Sequence, residues 1–119
     1  MILGKIWGST ESVLNTPILE MHLLKIKPNA MCSLHCHRFK HNGFAVISGR
    51  LFIETHKNDY ALIDVTDIGP GEVTSVKPGE YHRFRTGDEP TVALEWYFPE
   101  ALSEDIVRKD CGSVEDKNV

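Results

Sequence analysis

No apolar run in the 119 residues approaches the roughly 20 needed to cross a membrane as a helix. Basic residues are outnumbered and scattered. Thirteen Lys and Arg face 17 Asp and Glu, a net charge of −4 with no Lys/Arg cluster, which argues against a nucleic-acid footprint. The opening Met1 to Gly8 is too short and mixed for a secretory leader. Cysteine is limited to Cys32, Cys36 and Cys111, and an odd count without a leader reads as a reduced, cytoplasmic chain. Cys32 and Cys36 do not form a Cys-x-x-Cys motif, so plain thiols are expected. No βαβ rhythm, internal repeat or low-complexity linker is present. The length suits one domain over 1–119, and apolar (41%) and charged (25%) fractions are ordinary for a globular protein.

What the chain does have is short alternating apolar segments between turn signals. Residues 1–16 lack clear periodicity and read as an arm along an edge, ended by Pro17. Strands are expected over Ile18 to Lys27, Met31 to His37, Gly43 to Ile47, Arg50 to His56, Tyr60 to Val65, Val73 to Val76, Tyr81 to Arg85 and Thr91 to Tyr97. The turns include Pro28-Asn29-Ala30, Ser48-Gly49, Lys57-Asn58-Asp59, Ile68 to Glu72 and Lys77-Pro78-Gly79. Eight strands at this spacing point to an all-β sandwich or barrel. A core over about 17–99 would be followed by a C-terminal helix and tail over 100–119. The helix is expected at Ala101 to Arg108, with Ser103 as N-cap, Glu104 and Asp105 in the first turn and Arg108 and Lys109 near its end.

Two pieces stand out. His35-Cys36-His37 places two imidazoles on one face of a strand, because side chains two apart point the same way. His82 follows the Pro78-Gly79 turn on a distant strand, from which it can complete a three-imidazole site. Such a site suits zinc and, almost as well, iron, copper or nickel. A His-x-His pair alone is common on exposed surfaces. His22 lies in another segment and reads as a surface or packed histidine.

At these motifs the chain resembles the cupin superfamily. The first cupin motif matches Asn29, five residues, His35-Cys36-His37, four residues, Asn42, six residues and Gly49. The second matches Gly71, five residues, Lys77-Pro78-Gly79, two residues and His82. All spacings fit. Asn29 and Lys77 replace turn residues of the pattern, whereas Asn42 replaces the glutamate that usually supplies a fourth ligand. The resemblance implies an antiparallel jelly-roll barrel, a divalent metal on His35, His37 and His82, and a homodimer; Asn42 is open to three readings, a weak amide ligand, a holder of a bound water, or a plain hairpin residue. His41 is one out of register with Asn42 and is expected to point outward.

Trp7 to Ser12, Ile26-Lys27-Pro28, Val46 to Gly49, Pro78 to Arg83 and Ser103 to Arg108 also look like the carboxy-terminal domain of type II mannose-6-phosphate isomerases. That family usually has glutamine at His35 and glutamate at Asn42, and this chain lacks its transferase domain. The resemblance implies isomerisation of a sugar phosphate or similar small metabolite, with Glu95 on the last strand as candidate base. The other reading of Glu95 is a surface residue, with Val92, Leu94 and Trp96 claiming the core face. A three-histidine site also fits a ferrous oxygenase, for which Phe44 and Phe84 would wall a small-substrate pocket, or else serve as plain core. A non-catalytic ligand-binding cupin is the third reading.

Overall fold

The computed structural model describes residues 1–57, 62–100, 109 and 111–114. Nine strands occur there: β1 (Ile2–Lys5), β2 (Gly8–Asn15), β3 (Glu20–Ile26), β4 (Lys40–Ser48), β5 (Leu51–His56), β6 (Ile63–Ile68), β7 (Val73–Val76), β8 (Tyr81–Arg85) and β9 (Thr91–Pro99). All pair antiparallel, in a six-stranded sheet of order β1-β2-β3-β9-β4-β7 and a three-stranded sheet of order β6-β5-β8. Among the described residues there is no helix, hence none long and apolar enough to cross a membrane. The helix expected over 101–108 lies outside the described residues. A closed barrel is not seen among them; the ladders form two facing sheets.

Period-2 alternation builds the core between the sheets. Leu24, Ile26, Phe44, Val46 and Ala93 of the larger sheet meet Leu51, Ile53, Ile68 and Phe84 of the smaller one. Phe44 and Phe84 approach edge to face at 6.2 Å across the gap. On β5 the expected division holds: Leu51 and Ile53 are buried, while Phe52 and Glu54 are half-buried on the outer face. There Glu54 receives Arg85 at 2.9 Å. Asn29 adopts a left-handed φ of 53° in the turn after Pro28, a conformation asparagine tolerates.

Several expectations change. β4 begins at Lys40 rather than Gly43, and β6 runs to Ile68 rather than ending at Val65. The segment before Pro17 is a hairpin of β1 and β2, with β2 paired along β3. Gly8 permits this, because a side chain there would run into the Lys25 carbonyl. Met31 to His37 is not a regular strand; it meets β8 at the isolated bridges Met31↔Arg85 and His35↔His82 and through Cys32 N–H, which donates to the Phe84 carbonyl at 3.1 Å. Four steps from Met31 to His35 face three from Arg85 to His82, so one extra residue bulges and breaks the ladder. The Phe84 N–H, lacking a carbonyl in that gap, donates to the Cys32 thiol at 3.2 Å. On β9 the inward face belongs to Thr91, Ala93 and Glu95, all buried, while Val92, Leu94 and Trp96 are half-buried on the opposite face. Glu95 is therefore not a surface residue. A carboxyl can sit inside because Asn42 and Tyr97 give it hydrogen-bond partners.

Candidate metal centre and its cavity

Backbone pairing brings the three histidines together. His35 and His82 exchange two hydrogen bonds: His35 N–H donates to the His82 carbonyl at 3.0 Å, and His82 N–H to the His35 carbonyl at 2.8 Å. Directly opposed residues project to the same side, and His37, two further on, projects with them. The Pro78-Gly79 turn is tied in by Gly79 N–H donating to the His37 carbonyl at 2.8 Å. The ring centroids lie 4.6 Å apart for His35 and His82, 5.0 Å for His35 and His37, and 5.6 Å for His37 and His82. One ligand nitrogen from each falls within 4.8 Å of the others.

Their protonation is legible from their partners. His35 Nδ1 lies 2.7 Å from the Ser33 carbonyl and His82 Nδ1 lies 2.9 Å from the Glu80 carbonyl. A carbonyl only accepts, so each Nδ1 carries the proton and each Nε2 presents a lone pair, the arrangement a metal-ligating histidine needs. His37 Nε2 is buried and has no hydrogen-bond partner among the described residues. Burial, then the neighbouring His35 and His82, lowers the pKa of His37 to about 4. Burial likewise lowers that of His82. The His37 and His82 rings are thus held neutral, as ligation requires.

Asn42 closes the cluster from β4. Its Nδ2 donates to the Trp96 carbonyl at 3.2 Å and to Glu95 Oε2 at 3.4 Å, which orients the amide. Its Oδ1 then lies 2.9 Å from His82 Nε2. Both are lone-pair atoms when His82 is neutral, and an imidazolium is disfavoured by burial. A cation shared between them resolves the conflict. Two ligands about 2.1 Å from one ion lie roughly 3 Å apart when adjacent and at most about 4.2 Å apart when opposite. The Asn42–His82 pair already has that spacing. With ligand atoms spread over up to 4.8 Å, the widest histidine pair must draw in by at least about 0.6 Å, and further where the two ligands are adjacent, through side-chain rotation. The residues present therefore fit a divalent ion.

A cavity of about 330 Å³ opens beside the cluster, lined in part by His35, Phe84, Glu95 and Tyr97. Glu95 is 8% exposed; burial raises its pKa, against the pull of hydrogen bonds from Tyr97 and Asn42. Tyr97 is raised too, by burial and then by the Glu95 charge, and its ring packs 4.9 Å from that of His37. Cys32, on the same wall, is pushed up to about 11 by burial and is a thiol rather than a thiolate.

His35, His37, His82, Asn42 and Glu95 are thus brought together. Phe84 lines the cavity, whereas Phe44 packs in the core behind it. His41 turns away and stacks on Phe98 at 4.8 Å, as its register predicts. His22 does reach the cavity wall, with Glu20 3.6 Å away. Sequence reading missed Tyr97 and the hairpin residues Leu3, Lys5 and Trp7. Period-2 alternation from Glu95 could have found Tyr97; the hairpin carried no usable pattern.

Neither a protein-family model nor a curated sequence matches the chain. Solved structures do. KdgF from Halomonas sp. superposes with a TM-score of 0.71 at 15% identity, over 84% of this chain and 88% of that one. CapF from Staphylococcus aureus gives 0.74 at 25% identity, over 83% of this chain and 30% of that one. Bacillus subtilis oxalate decarboxylase gives 0.73 at 18% identity, over 87% and 28%. The chain thus spans under a third of the two longer neighbours. The cupin domain of Schizosaccharomyces pombe Cnp3 superposes as well. With its two antiparallel sheets and the cluster of His35, His37 and His82 between them, this chain has the cupin fold.

Proposed function

We propose that the chain is a metal-binding cupin domain that acts on a small sugar or sugar-phosphate-like metabolite by moving a proton beside a carbonyl, as the mannose-6-phosphate isomerases that its sequence resembles do. One observation carries this: His35 of the metal cluster and the buried carboxyl of Glu95 line the same cavity. A divalent ion bound there supplies Lewis-acid polarisation of a carbonyl oxygen. The chain's own residues do the rest. Glu95 accepts and returns a proton at a carboxyl oxygen, and its raised pKa brings it nearer the working range of a general base. Tyr97 and Asn42 hold that carboxyl in place. Phe84 and Leu24 keep part of the wall apolar. The Mn(II) centres of oxalate decarboxylase support a divalent ion in this fold. CapF, a capsular polysaccharide assembling protein, supports a carbohydrate-like ligand.

The test is solvent exchange by NMR. Metal-loaded protein in D2O should place deuterium next to the carbonyl of at least one aldose or ketose phosphate, and Glu95→Gln should abolish this with the metal retained. Absence of exchange across the panel would contradict the proposal.

A second reading, the three-histidine ferrous oxygenase, is favoured by Asn42, which offers a neutral amide where a carboxylate is usual. Oxygen consumption by iron-loaded protein with a small substrate is its signature. Metal binding with neither reaction leaves a ligand-binding module. We also propose a homodimer, since β1 and β7 leave exposed strand edges. Sedimentation as monomer at high micromolar concentration would contradict it. Three free cysteines suit a reducing cytoplasm.

A further inference from the structure

The larger sheet is six strands wide and the smaller three, so the inner face of the larger sheet runs beyond its cover on the β1–β2–β3 side. Register fixes which side chains share that face. Leu3 pairs with Thr10, Thr10 with Leu24, and Leu24 with Ala93, which is buried in the core. Lys5, two residues from Leu3, faces the same way and sits opposite Gly8, which has no side chain to cover it. The cavity of about 330 Å³ lies under this overhang, lined by Leu3, Lys5, Trp7 and Thr10 as well as by His35 and Glu95. Trp7 pins the hairpin. Its ring meets Phe84 edge-on at 4.9 Å, and its carbonyl accepts from Lys27 N–H at 2.8 Å.

The cavity wall carries one formally charged group of each sign besides its histidines. Among the described lining residues Lys5 is the single Lys or Arg and Glu95 the single carboxyl. Glu95 is already engaged by Tyr97 and Asn42. Lys40 and Lys57 pair with acids on the surface, but among the described residues Lys5 forms no ion pair. Lys5 is exposed at the cavity rim, and with Glu95 already bonded within the chain an acidic partner for Lys5 is left to the ligand. Thr10, Ser33 and Tyr97 add polar groups able to bond hydroxyls. The volume, near the lower end of the roughly 300–1,000 Å³ of ligand pockets, limits the ligand to a small molecule.

We propose that Lys5 is the anion-recognition residue of this cavity and that its ligand is a small polyhydroxylated molecule bearing a carboxylate or phosphate. This rests on reading the cavity as the ligand site beside the metal cluster. Among the described residues no hydrogen bond or ion pair joins Lys5 to His35, His37 or His82, so its substitution should leave metal content unchanged.

The experiment uses three probes of similar skeleton: glucose 6-phosphate, gluconate and glucose. Each is titrated into metal-loaded and chelator-stripped protein, following Trp fluorescence, with Trp7→Phe identifying the signal from the cavity. At least one anion should bind tenfold or more tightly than glucose, with the preference weakened by salt. Which anion is preferred separates phosphate from carboxylate. Lys5→Gln should erase the preference and Lys5→Arg should retain it. An equal response to all three probes, no binding of any, or a preference that survives Lys5→Gln would overturn the proposal. So would a Lys5→Gln variant that changes only sedimentation, which would make this face a contact between copies. An anion preference that persists in protein shown to bind no metal would refute the metal reading and leave the role of Lys5 standing.

Discussion

Asn42 Oδ1 and His82 Nε2 face each other at 2.9 Å with a lone pair on each. The Asn42 amide is oriented by the Trp96 carbonyl and Glu95, and His82 commits its proton to the Glu80 carbonyl. Neither atom can donate to the other while His82 is neutral, which makes the pair a sensitive probe of what binds between them.

Substitution at Asn42 should separate ligand charge from ligand geometry. Asn42→Ala should retain metal, because three imidazoles remain. Asn42→Glu places a second carboxyl beside the buried Glu95, so the metal-free variant should melt lower than wild type and the loaded one higher. Differential scanning calorimetry with and without chelator checks both signs.

His37→Ala should release the ion, since two imidazoles hold it far less well than three. At metal concentrations about 100 times the dissociation constant, bound metal stabilises wild type by about 2.7 kcal/mol. A chelator should therefore lower the wild-type melting temperature and leave that of His37→Ala unmoved.

The pH dependence follows from the same ring. His37 has a pKa of about 4 when folded, against its ordinary value of 6.5 in the unfolded chain. Between these values the unfolded chain binds more protons, so stability rises with pH across this window. The contribution of His37 is complete above 6.5 and is lost as pH falls toward 4. In metal-free protein, His37→Gln should flatten the denaturation midpoint between those two pH values relative to wild type.

Glu95→Gln keeps the size and much of the hydrogen bonding of the side chain and removes its acid–base function. Proton exchange should fall by roughly 10²–10⁴-fold, with metal affinity within about threefold of wild type. Phe44→Ala, by contrast, should cost about 3–5 kcal/mol in urea denaturation, because it empties the core rather than the cavity.

Most of the strands and the histidine cluster were legible because both rest on period-2 geometry and on turn chemistry at fixed spacing. His35 and His37 share a face, Pro78-Gly79 sets up His82, and Leu51 and Ile53 point inward for that reason. Glu95 was harder to place. Hydrophobicity favours the Val92, Leu94 and Trp96 face, but the inward face of β9 must serve a polar cavity and carries Thr91, Ala93 and Glu95 instead. The bulge before His35 was invisible because it depends on a count of residues across two segments far apart in the chain, Met31 to His35 against His82 to Arg85. The β1–β2 hairpin was missed because its apolar residues stay largely exposed and alternate poorly.

The most direct test is anomalous diffraction at the absorption edge of a divalent metal soaked into crystals of the protein. The expected result is one strong peak within bonding distance of Nε2 of His35, His37 and His82, with Asn42 Oδ1 beside it. A peak elsewhere, or none at saturating metal, would contradict a metal centre built on these residues.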